Sequence, residues 1–140
     1  MSIQDAARAE VPSGQQTFLA FDFGPKRTGV ATGNRLLAQG QPRPTIRAEG
    51  EARFAAIARL IAEWQPDALV VGVPCHPDGA PHDMTRAAQR FARQLDGRFG
   101  LPVYTVDERY STTEAQSQGA RDADAGAACV ILEQFLRACR

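Results

Sequence analysis

The chain has 140 residues, one domain's worth and enough to bury a hydrophobic core. It carries 16 basic and 16 acidic residues, and this zero net charge excludes a general electrostatic attraction to nucleic acid, so any such partner must be held by a local patch. The three cysteines form no CxxC pair and favour a reducing compartment, the cytoplasm, and no apolar run approaches the roughly 20 residues of a membrane span.

The first predicted element is a β-hairpin that follows a polar segment. Residues 1–16 lack the apolar core of a signal peptide and are predicted to be a flexible leader, before a single domain over residues 17–140. That domain opens with the strand-favouring segment from Phe18 to Phe23. A turn at Gly24–Pro25 and a second extended segment from Thr28 to Thr32 complete the hairpin pattern.

Asp22 interrupts the apolar first strand of this hairpin. A buried carboxylate requires a compensating cation or hydrogen bonds, because its desolvation is otherwise costly. Two interpretations remain open on this stretch alone. Asp22 either accepts hydrogen bonds from the amides of the turn, or it faces a cation such as Lys26, Arg27 or a divalent metal ion.

Seven further elements are predicted along the chain. They are a third strand within residues 35–47, a helix from Gly50 that stops at Pro66, a buried strand over 68–74, a helix over 84–95, a strand over 101–106, a helix that starts near Ser111, and a last helix over 123–136. This order predicts the α/β class, with a mixed sheet of about five strands that is antiparallel in its first three strands, then parallel, and flanked by helices.

Three acids fall where such a sheet would form a site. Asp22 lies on the first strand, Glu108 lies just past the last strand, and Asp124 lies on the face of the terminal helix that packs on the sheet. Taken singly, Asp124 is explained by favourable charge at a helix N-terminus, and Glu108 by a surface ion pair with Arg109. Together the acids would repel one another unless cations sit among them. Magnesium or manganese would suit such oxygen ligands and would support phosphodiester hydrolysis.

Several motifs then carry a resemblance to the YqgF family of ribonuclease-H-like proteins, from about Thr17 nearly to the C-terminus. The matching motifs are Phe21-Asp22-Phe23-Gly24-x-Lys26-Arg27-x-Gly29, Trp64-Gln65-Pro66-Asp67, Val71-Gly72-x-Pro74, Asp107-Glu108-Arg109-x-Ser111-Thr112 and Ala128-x-Val130-Ile131-Leu132-Glu133.

The resemblance implies a ribonuclease-H-like fold and a metal-dependent endonuclease, a hydrolase that acts in 5′-end processing of precursor 16S ribosomal RNA. It implies Asp22, Glu108 and Asp124 as catalytic acids that hold one or two Mg²⁺ or Mn²⁺ ions.

The nucleic-acid partner implied by the resemblance is structured RNA or branched DNA, with no membrane partner, and a homodimer is also considered. Lys26, Arg27 and Arg109 are expected to bind its phosphates, because they neighbour the acids in sequence.

Two departures from the family keep alternatives open. Pro25 stands where the family usually has a small hydroxyl residue, and only residues 118–123 remain of a usually longer loop before the third acid. The alternatives are a Holliday-junction or DNA resolvase-type nuclease, or a catalytically weak RNA-binding module. The Asp22-x-Gly24 hairpin also resembles the first phosphate loop of actin-like kinases, but those proteins need two lobes.

Two other groups of residues are weaker candidates. Cys75, His76 and His82 match no usual zinc-ligand spacing, and a polar surface loop is favoured. The arginines of the helix predicted at 84–95 and just beyond form a strip that could face phosphates, although a solvated helix face is favoured. They are Arg86, Arg90, Arg93 and Arg98.

Overall fold

The predicted hairpin is part of a β-sheet in a computed structural model that describes residues 3–6, 10–74, 84–108 and 123–139. Within these ranges the strands are β1 (Ile3–Asp5), β2 (Thr17–Phe23), β3 (Thr28–Asn34), β4 (Gln39–Ile46), β5 (Ala68–Val73) and β6 (Val103–Asp107). The helices are α1 (Gly50–Trp64), α2 (Thr85–Phe99) and α3 (Ala123–Ala138).

The six strands lie side by side in the order β1-β6-β5-β2-β3-β4. β2 pairs antiparallel with β3, and β3 pairs antiparallel with β4. β5 runs parallel to β2, and β6 runs parallel to both β5 and β1. The predicted mixed sheet, with an antiparallel start followed by parallel strands, is therefore confirmed.

The described strands number six rather than about five because β1 lies within the segment expected to be a leader. Ile3 pairs with Val103 of β6 and packs against the core. The guanidinium of Arg35 donates hydrogen bonds to the carbonyl oxygens of Val11 and Pro12 at 2.8 Å each. Part of this segment is thus fixed to the sheet, although only one residue of β1 is strongly apolar.

The sheet is covered on both faces, and the alternation along β2 decides which side chains face which helices. Phe18 and Ala20 pack in a cluster with residues of α3. Leu19 and Phe21 pack in a second cluster with residues of α1 and α2. Asp22 continues the register of Phe18 and Ala20, and therefore lies on the α3 face of the sheet.

Apolar residues at helical spacing form the buried faces of the helices. Phe54 and Ile57 are buried in α1, and Phe91 and Leu95 are buried in α2. Ala58 is exposed, so the buried stripe of α1 is narrow. In the part of the chain that the structure describes, no helix is long and apolar enough to cross a membrane.

Three predicted features fall outside the described residues. They are the helix start near Ser111, most of the shortened loop at 118–123, and the loop with Cys75, His76 and His82.

Candidate active site

Asp22 and Glu108 lie on the same face of the sheet, at the carboxyl ends of β2 and β6. Glu108 directly follows β6 and continues the register of Tyr104 and Val106, which pack with α3. Both strands run parallel to β5, which lies between them, so their carboxyl ends meet at one edge of the sheet. This is the edge at which open α/β sheets form their sites.

Gly72 of β5 provides the space that the Glu108 side chain occupies. A Cβ atom at Gly72 would lie 2.1 Å from Oε2 of Glu108 and 2.3 Å from Cδ1 of Ile131. A side chain at this position would therefore require the ends of Glu108 and Ile131 to move. The carboxylate of Glu108 therefore lies over β5, on the side of the strand where β2 carries Asp22.

Gly29 of β3 likewise provides the space that the backbone of Asp124 occupies. It is the cross-strand partner of Asp22, and a Cβ atom there would lie 1.9 Å from the carbonyl oxygen of Asp124. The missing side chain lets the first turn of α3 lie directly on β3. This close approach brings Asp124 beside Asp22.

The electrostatics of the site reflect this convergence. Burial and, secondarily, the charge of Asp124 raise the pKa of Asp22 to about 7. Burial raises the pKa of Glu108 to about 8, with further contributions from the charges of Asp22 and Asp107. Such shifts arise when carboxylates are desolvated next to one another. The structure thus brings the three acids predicted from the sequence into one neighbourhood.

The carboxylate of Asp124 is engaged by a cation of the protein. Its Oδ2 accepts a charged hydrogen bond from Nε of Arg27 at 2.9 Å. Within the described ranges, no three carboxylate, histidine or cysteine side chains are gathered tightly enough to hold one metal ion. In this arrangement Arg27 neutralises part of the negative charge of the site.

The turn between β2 and β3 carries two of the predicted phosphate-binding residues. The amide of Gly24 donates to the carbonyl oxygen of Arg27 at 2.8 Å and closes the turn. Pro25, Lys26 and Arg27 are exposed, and the turn and Asp124 line a cavity of about 500 Å³. The third, Arg109, lies outside the described residues.

Arg53 of α1 supports this turn, a role that was not predicted from the sequence. It is only 5% exposed, and its Nη2 donates to the carbonyl oxygens of Gly24 and Pro25 at 2.9 Å each. Its guanidinium carbon lies 4.5 Å from the centre of the Phe23 ring. Arg53 lies four residues before Ile57 and therefore on the buried stripe of α1. A cation on that stripe could have indicated from the sequence that Arg53 has a structural role.

Comparison with known proteins identifies the family. A family model described as RuvX, Holliday junction resolvase, matches residues 16–138. The chain belongs to the RuvX family. This confirms the resemblance noted from the motifs and places the chain in a family of nucleases, which are hydrolases of phosphodiester bonds.

Two bacterial relatives of this RuvX chain are each described as a candidate pre-16S rRNA nuclease. The relative from Albidiferax ferrireducens is 67% identical over 139 residues, which cover 96% of this chain and 89% of the relative. The relative from Polaromonas sp. is 65% identical over 132 residues, covering 94% and 96%.

A solved structure supports the fold. T. thermophilus RuvC, in complex with a Holliday junction substrate, superposes with a TM-score of 0.58 at 14% sequence identity, covering 88% of this chain and 94% of RuvC. At that identity the likeness concerns the fold, which is the predicted ribonuclease-H-like arrangement.

Proposed function

We propose that this protein is a metal-dependent endonuclease that cuts structured RNA in the 5′-end processing of precursor 16S ribosomal RNA. The observation that carries the proposal is the position of the Glu108 carboxylate over Gly72, near enough to Asp22 for the charge of Asp22 to act on Glu108. The names of the two bacterial relatives support the RNA substrate. That substrate is found in the bacterial cytoplasm, which is the location we propose.

The donor set of the site fits a hard divalent cation. Asp22, Glu108 and Asp124 offer only carboxylate oxygens, the ligands that Mg²⁺ and Mn²⁺ prefer. Burial and, secondarily, repulsion between the acids raise the pKa values of Asp22 and Glu108, and a bound cation would favour the charged form of both. The three side chains are not gathered around one point among the described residues, so we propose that they draw together on binding one or two such ions, which would activate water and stabilise the leaving oxyanion.

The cations around the acids then position the substrate. Lys26 and Arg27 lie on the rigid turn next to Asp124 and line the same cavity. Phosphates that enter this cavity would meet both side chains, and the guanidinium of Arg27 can bind a phosphate in two-pronged geometry. Arg109, directly after Glu108 in the sequence, is proposed to contribute in the same way.

Branched DNA is the second candidate substrate. The family description and the RuvC complex favour it, because both concern Holliday junctions. A protein that retains RNA without cutting it is the third candidate, favoured by the short segment before Asp124.

The test is a set of parallel cleavage assays with manganese or magnesium. The wild-type protein is incubated with a precursor 16S rRNA fragment, with a four-way DNA junction, and with an unstructured RNA of the same length. Faster cleavage of the precursor than of either other substrate is the expected result. Preferential cutting of the junction would replace the RNA proposal with the resolvase one. RNA binding without cleavage in either metal would favour the binding module.

A further inference from the structure

A groove lies between the edge strand β4 and helix α1, apart from the three acids. Its volume is about 480 Å³. Arginine, apolar and aromatic side chains line it, including Arg43, Arg47, Arg59, Leu60 and Trp64. We call it the β4–α1 groove.

We propose that the β4–α1 groove binds an unpaired segment of RNA, the strand that leads away from the bond cut at the acids. The identity of the substrate as RNA rests on the function proposed above. The groove itself is recognised from its own shape, charge and aromatic content.

Arg43 and Trp64 form a flat cationic surface in the groove. The guanidinium carbon of Arg43 lies 4.3 Å from the centre of the Trp64 ring. Its Nε donates to Oγ1 of Thr32 on β3 at 2.9 Å, which fixes the plane of the guanidinium. Unpaired bases stack on aromatic rings and on arginine planes, and a surface held in advance loses little entropy on binding.

The charge of the groove suits a polyanion. Three arginines line it against one acid, Glu63, in a chain whose net charge is zero. Arg47 and Arg59 are exposed, so both can reach phosphates. In the arginine strip of α2, by contrast, Arg98 already has partners within the protein, because it binds Glu51 and stacks on Phe54.

The groove is linked to the acids through Arg53. Ala48 lines the groove, and its carbonyl oxygen accepts a hydrogen bond from Nε of Arg53 at 3.2 Å. The same guanidinium holds the turn at Gly24 and Pro25. Because β4 runs parallel to β2, its carboxyl end lies at the edge of the sheet where Asp22 lies. The groove lies on the α1 face of the sheet and the acids lie on the α3 face, so a strand bound beside Arg27 would reach the groove by passing around this edge.

The experiment uses the intrinsic fluorescence of Trp64, because it is the only tryptophan of the chain. Asp22→Asn protein, which should not cut RNA, is titrated with a single-stranded oligoribonucleotide. We expect saturable quenching of Trp64, with weaker binding of a duplex of the same sequence. The pair Arg47→Gln/Arg59→Gln should bind several-fold more weakly. The slope of log affinity against log salt should become shallower by about 1.4, since each phosphate neutralised on a single strand contributes roughly 0.7 to it.

The matched control is the pair Arg86→Gln/Arg90→Gln, which removes the same charge from exposed positions of α2. Equal weakening by both pairs, no binding of the oligonucleotide, or binding that leaves Trp64 fluorescence unchanged would each overturn the groove proposal. Manganese-dependent cleavage by the wild-type protein, measured alongside, reports on the proposed nuclease separately. Selective weakening by the groove pair in a protein that does not cut would keep the groove proposal and remove the nuclease one.

Discussion

Asp22 is a carboxylate whose ionisation in the folded protein is opposed by its surroundings. Its pKa is raised from 3.8 to about 7, so the unfolded chain releases this proton at lower pH than the folded protein does. The contribution of Asp22 to the free energy of unfolding therefore falls as the pH rises from about 4 to about 7. It stays low above that range until a cation binds.

Replacing Asp22 by Asn removes this ionisation. Without divalent metal, Asp22→Asn should match the wild-type stability near pH 4 and exceed it above pH 7, by on the order of 4 kcal/mol. Urea unfolding across that pH range measures the difference. Glu63→Gln, which changes an exposed carboxylate of α1, is the control and should show no such trend. An Asp22→Asn protein destabilised at every pH would indicate that Asp22 caps the turn instead.

Gly72 is expected to set the position of Glu108. In Gly72→Ala the new Cβ would displace the Glu108 carboxylate and the end of Ile131, both flexible tips, so the sheet should still fold. A displacement on this scale should lower the metal-dependent cleavage rate by up to roughly 100-fold. The control is Gly97→Ala on α2, where nothing lies within 4 Å of the added Cβ. Equal activity of the two alanine variants would show that Glu108 tolerates the shift.

At the scale of elements, α1 and the β2–β3 turn are coupled by Arg53. Arg53→Met keeps the apolar stem but loses the donors to Gly24 and Pro25. The carbonyl oxygens that lose their donor can be solvated only in part, which costs about 1 to 3 kcal/mol. We therefore expect a lower melting temperature in a protein that still folds, faster hydrogen exchange at the Gly24 amide, and slower cleavage. Slow exchange at the Gly24 amide and normal cleavage in Arg53→Met would mean that the β2–β3 turn is stable without Arg53.

The elements of the sheet and the three acids were predictable because each leaves a local trace in the sequence. Asp22 interrupts an apolar strand, Glu108 follows a strand, and Asp124 shares a helical face with Ala128 and Ile131. β1 leaves no such trace, because its pairing depends on β6, which lies about a hundred residues away.

Contacts between distant parts of the chain account for what the sequence did not predict. The approach of α3 to Gly29 and the ion pair of Arg27 with Asp124 depend on how α3 packs against the sheet. Gly72 offered a partial signal, since an isolated glycine in a buried strand often marks a close approach. Sequence periodicity predicts the helices and strands and their buried faces, whereas the distances between the side chains of the site depend on how these elements pack.

For the whole molecule, the zero net charge means that RNA has to be recognised by local clusters. Among the described residues, the turn with Lys26 and Arg27 and the β4–α1 groove are such clusters. The acids should contribute to the chemical step and little to binding, while the arginines should do the opposite.

The catalytic role of the three acids is measured by manganese-dependent cleavage of the precursor RNA, comparing wild type with Asp22→Asn, Glu108→Gln and Asp124→Asn. Each variant should lose cleavage by orders of magnitude and keep its affinity for the RNA, because its acid acts on the transition state. Cleavage at the wild-type rate in any of the three would remove that acid from the site. Equal residual cleavage in all four proteins would show that the three acids do not catalyse the cleavage.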